Sequence, residues 1–258
     1  MLALITGGSQ GIGLEYARCL AERGYDLLLV SNQQEALLAV ADELSHQYNV
    51  AVHTRYQNLA EHDAPEQLLD FCHQQGFEVE VLVNNAGVFF FNPLIDTAMP
   101  RIELMIDLHI RTVTKMCRLF GEDMVRRGHG YILNMSSMSA WMTMPGIHVY
   151  NATKSYILNL SRSLWYEFRP HGVSITAVCP GAVDTGLYGL SPYWRRVAVA
   201  IGVSMPPHRL AQKGLKAMFR RKKQTVPGAI NHIFIPIIKH LPDWVISLAI
   251  KKLAQFQK

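Results

Sequence analysis

The sequence predicts an α/β protein built on a doubly wound parallel sheet with helices on both faces, and three observations lead there. Short aliphatic and β-branched runs alternate with longer stretches whose apolar residues recur at helical spacing. The runs are apolar nearly throughout, as expected of strands buried on both faces. A glycine cluster, Gly7, Gly11 and Gly13, separates the first run from the first helical stretch. Right-handed crossovers then place a ligand crevice at the carboxyl ends of the strands, where their order reverses.

In chain order, Leu2–Thr6 reads as a strand, Ile12–Glu22 as a helix, Asp26–Val30 as a strand and Gln34–Gln47 as a helix. Val50–His53 and Val79–Val83 follow as strands on either side of a helix over Pro65–Gln75. A long helical pattern over Arg101–Arg126 leads to the strand Tyr131–Met135, and a helix over Tyr150–Phe168 leads to the strand Val173–Val178. After Pro180 the alternation breaks. Gly181 to Pro207 carries Gly, Ser and Pro among aromatics, a basic helix is expected near Arg209 to Lys223, and an apolar tail runs over Ala229 to Ile250. The chain therefore reads as one domain over residues 1–258, with 187–258 as substrate lid and C-terminal helical appendage.

Composition narrows the class. Charged residues are 17% and apolar ones 49%, the balance of a packed globular protein. A formal charge of +5 is too small for a nucleic-acid stripe but suits phosphate-bearing ligands or an anionic membrane face. Cys19, Cys72, Cys117 and Cys179 are scattered without C-x-x-C spacing, so neither a metal site nor a disulfide framework is expected and a reducing compartment fits. Met1 leads directly into Leu2–Ile5 with no readable signal peptide, and polar residues interrupt the tail. The expectation is a cytoplasmic protein, with peripheral membrane contact left open.

The loop Thr6-Gly7-Gly8-Ser9-Gln10-Gly11-Ile12-Gly13 is the first candidate site. Without a Cβ at Gly7, Gly11 and Gly13, the backbone can turn tightly and approach a pyrophosphate, while Ile12 opens a helix whose N-terminus offers N–H donors. Its spacing, G-x-x-x-G-x-G, differs from the G-x-G-x-x-G of other dinucleotide folds, and a plain strand–helix turn is the bland alternative. At the end of the second strand, Ser31, Asn32 and Gln33 include no acid to bind a ribose 2′-hydroxyl and repel a 2′-phosphate. That leans toward NADP(H) over NAD(H), although these residues also suit ordinary turn chemistry. Asn58 and Leu59, after the third strand, are placed to meet an adenine.

Tyr150 and Lys154 are one helical turn apart and share a face. An ammonium that close favours a phenolate and draws the tyrosine toward the working range of a proton donor. Ser137, at the end of the fifth strand, can hold a substrate carbonyl, and Asn84-Asn85-Ala86-Gly87 follows the fourth strand.

These motifs, TGGSQGIG, NNAG, the Ser137/Tyr150/Lys154 set with YNATK, and Pro180-Gly181, resemble the short-chain dehydrogenase/reductase family in matching order over residues 2 to 190. The resemblance implies a Rossmann-type fold and hydride transfer between nicotinamide and a carbonyl carbon. Tyr150 would give or take the proton, Ser137 orient the oxygen, and Lys154 bind the nicotinamide ribose. It also implies that Asn85, Ala86 and Gly87 flank the adenosine side of the cofactor and Pro180, Gly181, Val183 and Thr185 the nicotinamide side. Such enzymes form homodimers or homotetramers. Two departures stand out. His109 occupies the place of an Asn that holds a relay water in the family, either passing protons itself or merely packing. A Gly-rich final strand is missing, replaced by the apolar tail.

From Met116 onward the pattern, with GYILNMSS, VYNATKSY and a late Pro227-Gly228, is similar to the 3-oxoacyl-CoA reductase and 17β-hydroxysteroid dehydrogenase branch, whose substrates are hydrophobic ketones. Phe89, Phe90, Phe91, Trp141, Met142, Met144, Tyr188, Tyr193 and Trp194 fall in loops where an apolar pocket is expected, though core or subunit interface would use them equally well. Arg220–Lys223 could meet an anionic membrane or CoA phosphates, or form a solvated face. Two alternatives stay open: a reductase of small polar carbonyls or sugars, and a catalytically weak nucleotide-binding member of the family.

Overall fold

The computed structural model describes residues 1–183, 204–228, 231, 235 and 236. Among these, seven strands form one sheet in the order β3-β2-β1-β4-β5-β6-β9, every pairing parallel. The strands are β1 (Leu2–Thr6), β2 (Asp26–Ser31), β3 (Val52–Tyr56), β4 (Val79–Asn84), β5 (Gly130–Met135), β6 (Val173–Val178) and β9 (Gln224–Thr225); β7 (Ala182–Val183) and β8 (Ser204–Met205) pair separately. The helices are α1 (Gly11–Ala21), α2 (Gln34–Tyr48), α3 (Ala64–Gln74), α4 (Met99–Ile106), α5 (Val113–Arg127), α6 (His148–Phe168) and α7 (Pro207–Phe219). The order reverses between β1 and β4, the switch point of a Rossmann-type sheet.

The two-residue period of each strand divides the core. Ala3, Ile5, Leu27, Leu29, Val81 and Val83 point to one face, where they meet Tyr16 and Leu20 of α1, Leu37 and Leu44 of α2 and Leu210 and Leu215 of α7. Leu2, Leu4, Leu28, Val30 and Leu82 point to the other, against Leu68 of α3, Met116 and Phe120 of α5 and Ile157 of α6. Both faces are therefore covered, which is why the strands read as unbroken apolar runs.

Three expectations are corrected. The single helix over Arg101–Arg126 is two helices joined by a π-helical segment, Asp107–Thr112. The sheet does have a final strand: β9 pairs with β6 through Ala177↔Gln224 and Val178↔Thr225, too short for any periodicity to reveal. The basic helix stops at Phe219, because Arg221 takes a left-handed φ of 54° and turns the chain into β9.

The boundary at 187 and Thr185, Tyr188, Tyr193 and Trp194 lie outside the described residues, as does most of the tail. No helix among the described residues is long and apolar enough to cross a membrane.

Candidate active site

A cavity of about 890 Å³ opens at the carboxyl ends of β1, β2, β4, β5 and β6. Its lining joins the glycine loop and Ser31 at one end to Ser137, Tyr150 and Lys154 at the other. Of the residues proposed from sequence, Gly7, Ser9, Gln10, Gly11, Ile12, Ser31, Asn32, Asn58, Leu59, Asn85, Ala86, Gly87, His109, Pro180, Gly181 and Val183 also line it. Gly13 does not, and its role is packing: a Cβ there would overlap the Gly7 carbonyl oxygen and lie 2.6 Å from Asn85 Nδ2.

The glycine loop fits a pyrophosphate. Gly7 and Gly11 have φ of 66° and 57°, which favour glycine, and nothing among the described residues stands within 4 Å of a Cβ built on Gly11. Gln10 makes no side-chain cap on α1, and the first turn holds no acid. The positive end of the helix dipole and its N–H donors are thus left to a ligand. Thr6 anchors the neighbouring loop: its Oγ1 accepts the N–H of Asn85 at 2.9 Å and of Ala86 at 3.0 Å, and donates to the Val83 carbonyl at 3.2 Å. Its place between β1 and the glycines marks it in the sequence, but its partners on the loop after β4 are remote in the chain. At the far end, the hydroxyls of Ser9 and Ser31 are 2.8 Å apart, and Ser31 Oγ accepts the Gln33 N–H. Leu59 is buried and its carbonyl is held by the Thr112 hydroxyl.

At the other end, α6 carries Tyr150 and Lys154 on the face toward β5. Lys154 is buried, and its ammonium donates to the Met135 carbonyl at 2.9 Å and lies 5.4 Å from the Tyr150 ring centre. Burial lowers its pKa from the ordinary 10.5 to about 8. Ser136, which sequence reading missed, donates its hydroxyl to the Lys154 carbonyl at 2.8 Å and pins α6 to the end of β5. Ser137 Oγ accepts the Ser139 N–H at 3.1 Å, capping a short 3₁₀ turn at the cavity wall. Deeper in the sheet, Asn84 donates to Asn134, which donates to Ser161 of α6, a polar thread through the core.

The aromatic expectation is corrected in part. Phe89 lines the cavity, edge-on to Tyr150 with centres 5.0 Å apart. Phe90 lies under Arg101, Phe91 fills the space over Gly146, and Trp141 packs against the cluster of Leu158, Ala177, Cys179 and Val226, so these three contribute support and not wall. Val88, Leu104, Leu108 and Pro207 are further apolar residues in the cavity lining. The basic turn does not face the cavity either. Arg221 donates to the Gly172 carbonyl at the start of β6, and Lys223 to the Tyr166 hydroxyl, sixteen residues or about 24 Å along α6 from Tyr150.

A switch-point crevice long enough for a dinucleotide, ending on a tyrosine beside a buried ammonium, defines a class: oxidoreductases in which a nicotinamide carries the hydride and a side chain handles the proton on oxygen. Comparison with known proteins agrees. The model of the short chain dehydrogenase family matches residues 1–194, and the chain belongs to that family, NAD(P)-dependent oxidoreductases acting on CH–OH and C=O groups. The very-long-chain 3-oxoacyl-CoA reductase of Macaca fascicularis is 29% identical over 248 residues, which cover 94% of this chain and 76% of that protein. That of Rattus norvegicus is 33% identical over 189 residues, 72% of this chain and 60% of that protein. Among solved structures, a short-chain dehydrogenase from Sphingobium yanoikuyae in complex with NADPH has a TM-score of 0.79 at 27% identity, covering 100% of this chain and 95% of that one. An alcohol dehydrogenase from the archaeon Thermococcus sibiricus complexed with 5-hydroxy-NADP has a TM-score of 0.78 at 26% identity, covering 89% and 97%.

Proposed function

We propose that the protein interconverts a ketone and a secondary alcohol on a hydrophobic substrate of the long-chain 3-oxoacyl, sphingoid or steroid-like kind, using NADP(H). The observation that carries this reading is the convergence of Ser137, Tyr150 and Lys154 on one cavity that the glycine loop also lines. When bound, the nicotinamide cofactor supplies or takes the hydride. The chain's own residues do the rest. Ser137 holds the substrate oxygen, the Tyr150 hydroxyl gives it a proton in the reductive direction, and the Lys154 ammonium holds the resulting phenolate and the nicotinamide ribose.

Two features support the finer points. Phe89 stands against Tyr150 in a cavity that Val88, Leu104 and Leu108 also line, and the curated relatives are named for very-long-chain 3-oxoacyl-CoA reduction. At the adenosine end, Ser9, Ser31 and Asn32 offer hydroxyls and an amide where an acid would repel a 2′-phosphate. The test is turnover of NADPH with hydrophobic 3-oxo substrates, beside Tyr150→Phe. A loss of about 100-fold or more in kcat with an unchanged NADPH dissociation constant is expected. Equal turnover by the variant, or a preference for small sugars and polar ketones, overturns the reading.

A further inference from the structure

We infer that His109 is a positioning residue, a neutral clamp that ties the loop after β4 to the Tyr150 turn of α6, and that it carries no proton in the reaction. The inference rests on the assignment of Tyr150 above, but its geometry stands apart from it. His109 sits in the π-helical segment Asp107–Thr112, whose wider turn reorients side chains relative to an α-helix and recurs at functional sites. The ring is 1% exposed.

Both ring nitrogens are engaged, and the direction of each bond follows from its partner. The Val88 N–H can only donate, so Nε2, 3.1 Å away, accepts and carries no hydrogen. A neutral ring then has its proton on Nδ1, which faces Thr153 Oγ1 at 2.9 Å and donates to it. The Thr153 hydroxyl in turn gives its hydrogen to the Tyr150 carbonyl at 2.9 Å. The chain of bonds thus runs one way, from the Val88 N–H to the Tyr150 carbonyl. Gly87 makes the approach possible, since a Cβ there would lie 2.6 Å from Nε2.

Protonating the ring would set an Nε2–H against the Val88 N–H, two donors without an acceptor. The one charged group beside the ring among the described residues opposes it as well. Tyr150 stands edge-on with centres 5.8 Å apart, and the Lys154 ammonium adds to burial in holding the His109 pKa well below the ordinary 6.5. A relay needs a nitrogen able to take up a proton and release it elsewhere, and here each nitrogen is committed to a partner within the wall of the site. What the clamp fixes is the spacing between the cofactor loop, through Gly87 and Val88, and the turn that aims the Tyr150 hydroxyl.

The experiment uses the full chain. In long-range ¹H–¹⁵N spectra of histidine-labelled protein, the ring whose signals vanish in His109→Gln is expected to keep the neutral Nδ1–H pattern from about pH 5.5 to about 8.5, while exposed histidines titrate. In steady-state turnover with NADPH and a hydrophobic ketone, Thr153→Val is expected to lower kcat by about 100-fold, because misplacement of a proton donor by a fraction of an ångström is amplified in rate. Thr153→Ser should restore the rate, and His109→Gln combined with Thr153→Val should lose no more than the worse single variant. A His109 ring that titrates with the rate profile, or losses that multiply, overturns the clamp. If Tyr150→Phe retains full turnover, the assignment of the proton donor has failed, and the tautomer spectrum still decides the state of His109.

Discussion

Gly13→Ala separates a glycine required by the protein from one required by the ligand. The added Cβ would fall well inside the 3.0 Å that real Cβ atoms essentially never cross, against the Gly7 carbonyl oxygen, and 2.6 Å from Asn85 Nδ2. Neither neighbour is the free end of a flexible side chain. The Gly7 carbonyl belongs to the loop itself, and Asn85 Nδ2 donates to the Thr6 and Gly7 carbonyls at 3.0 and 3.4 Å. The backbone must therefore retreat, an overpacking cost of about 1–3 kcal/mol. Because the parts that move are the cradle, we expect NADPH affinity to fall at least about 10-fold, ~1.4 kcal/mol, together with a lower urea midpoint. Gly11→Ala meets no atom of the described residues within 4 Å, and its φ of 57° is what opposes it, about 1–2 kcal/mol. It should cost comparable stability yet lose more affinity, since its open face is where the pyrophosphate would lie. Nucleotide fluorescence titration with urea melts on both variants decides the matter. If Gly13→Ala binds NADPH within two-fold of the parent, the loop is not the cradle.

Further outcomes follow from single contacts. Ser31→Asp places a carboxylate at the adenosine end and should shift the NADPH/NADH affinity ratio toward NADH by about 10-fold or more; an unchanged ratio in side-by-side titrations would show that the 2′-phosphate lies elsewhere. Thr6→Val keeps the shape but strips the acceptor from two N–H groups, and a loss of about 2 kcal/mol in urea unfolding is expected, with Thr6→Ser close to the parent. Lys154 has its folded pKa lowered to about 8 from 10.5, so the unfolded chain binds more protons between those values. Its contribution to stability is complete above the unfolded value and is lost as pH falls through the folded one. Cofactor-free protein should therefore gain this component as pH rises from 8 toward 10.5, and Lys154→Met should flatten it; identical pH slopes for both proteins would refute the assignment.

Most of the sheet was legible because burial on both faces leaves little choice of residue: Leu2–Thr6 and Val173–Val178 are the observed strands to the residue. Helix starts were close, with α6 beginning at His148 and not at Tyr150. What escaped were features set by partners remote in sequence. The π-helical segment has no composition of its own, and the partners of its His109, Val88 and Thr153, are not near it in the chain. β9 is two residues whose only signal is the edge of β6. Tyr150 and Lys154 come together on local spacing, since they share one helix, whereas most of the aromatic residues expected around the crevice do not line it. Leu104 and Leu108, which do, look like ordinary helix positions, and the conspicuous Phe90, Phe91 and Trp141 pack outside it.

The polar groups at the carboxyl ends of the strands explain why such a site can be both buried and rigid. Beyond the last ladder bond a strand has no neighbour to satisfy its backbone, yet here the chain is still largely shielded from water. Side chains take over the role of the sheet. Thr6 binds the loop after β4 to β1, Asn84 and Asn134 join β4 to β5 and onward to Ser161, and Ser136 holds the Lys154 carbonyl to β5. His109 and Thr153 close the circuit from the loop after β4 back to Tyr150. Each bond satisfies a group that would otherwise cost about 1–3 kcal/mol to bury, and each also fixes the distance between two elements that must meet the same cofactor. Satisfaction of buried polar groups and preorganisation of the site are thus met by the same atoms. A substitution that keeps volume and removes one of these hydroxyls should accordingly disturb rate and stability together.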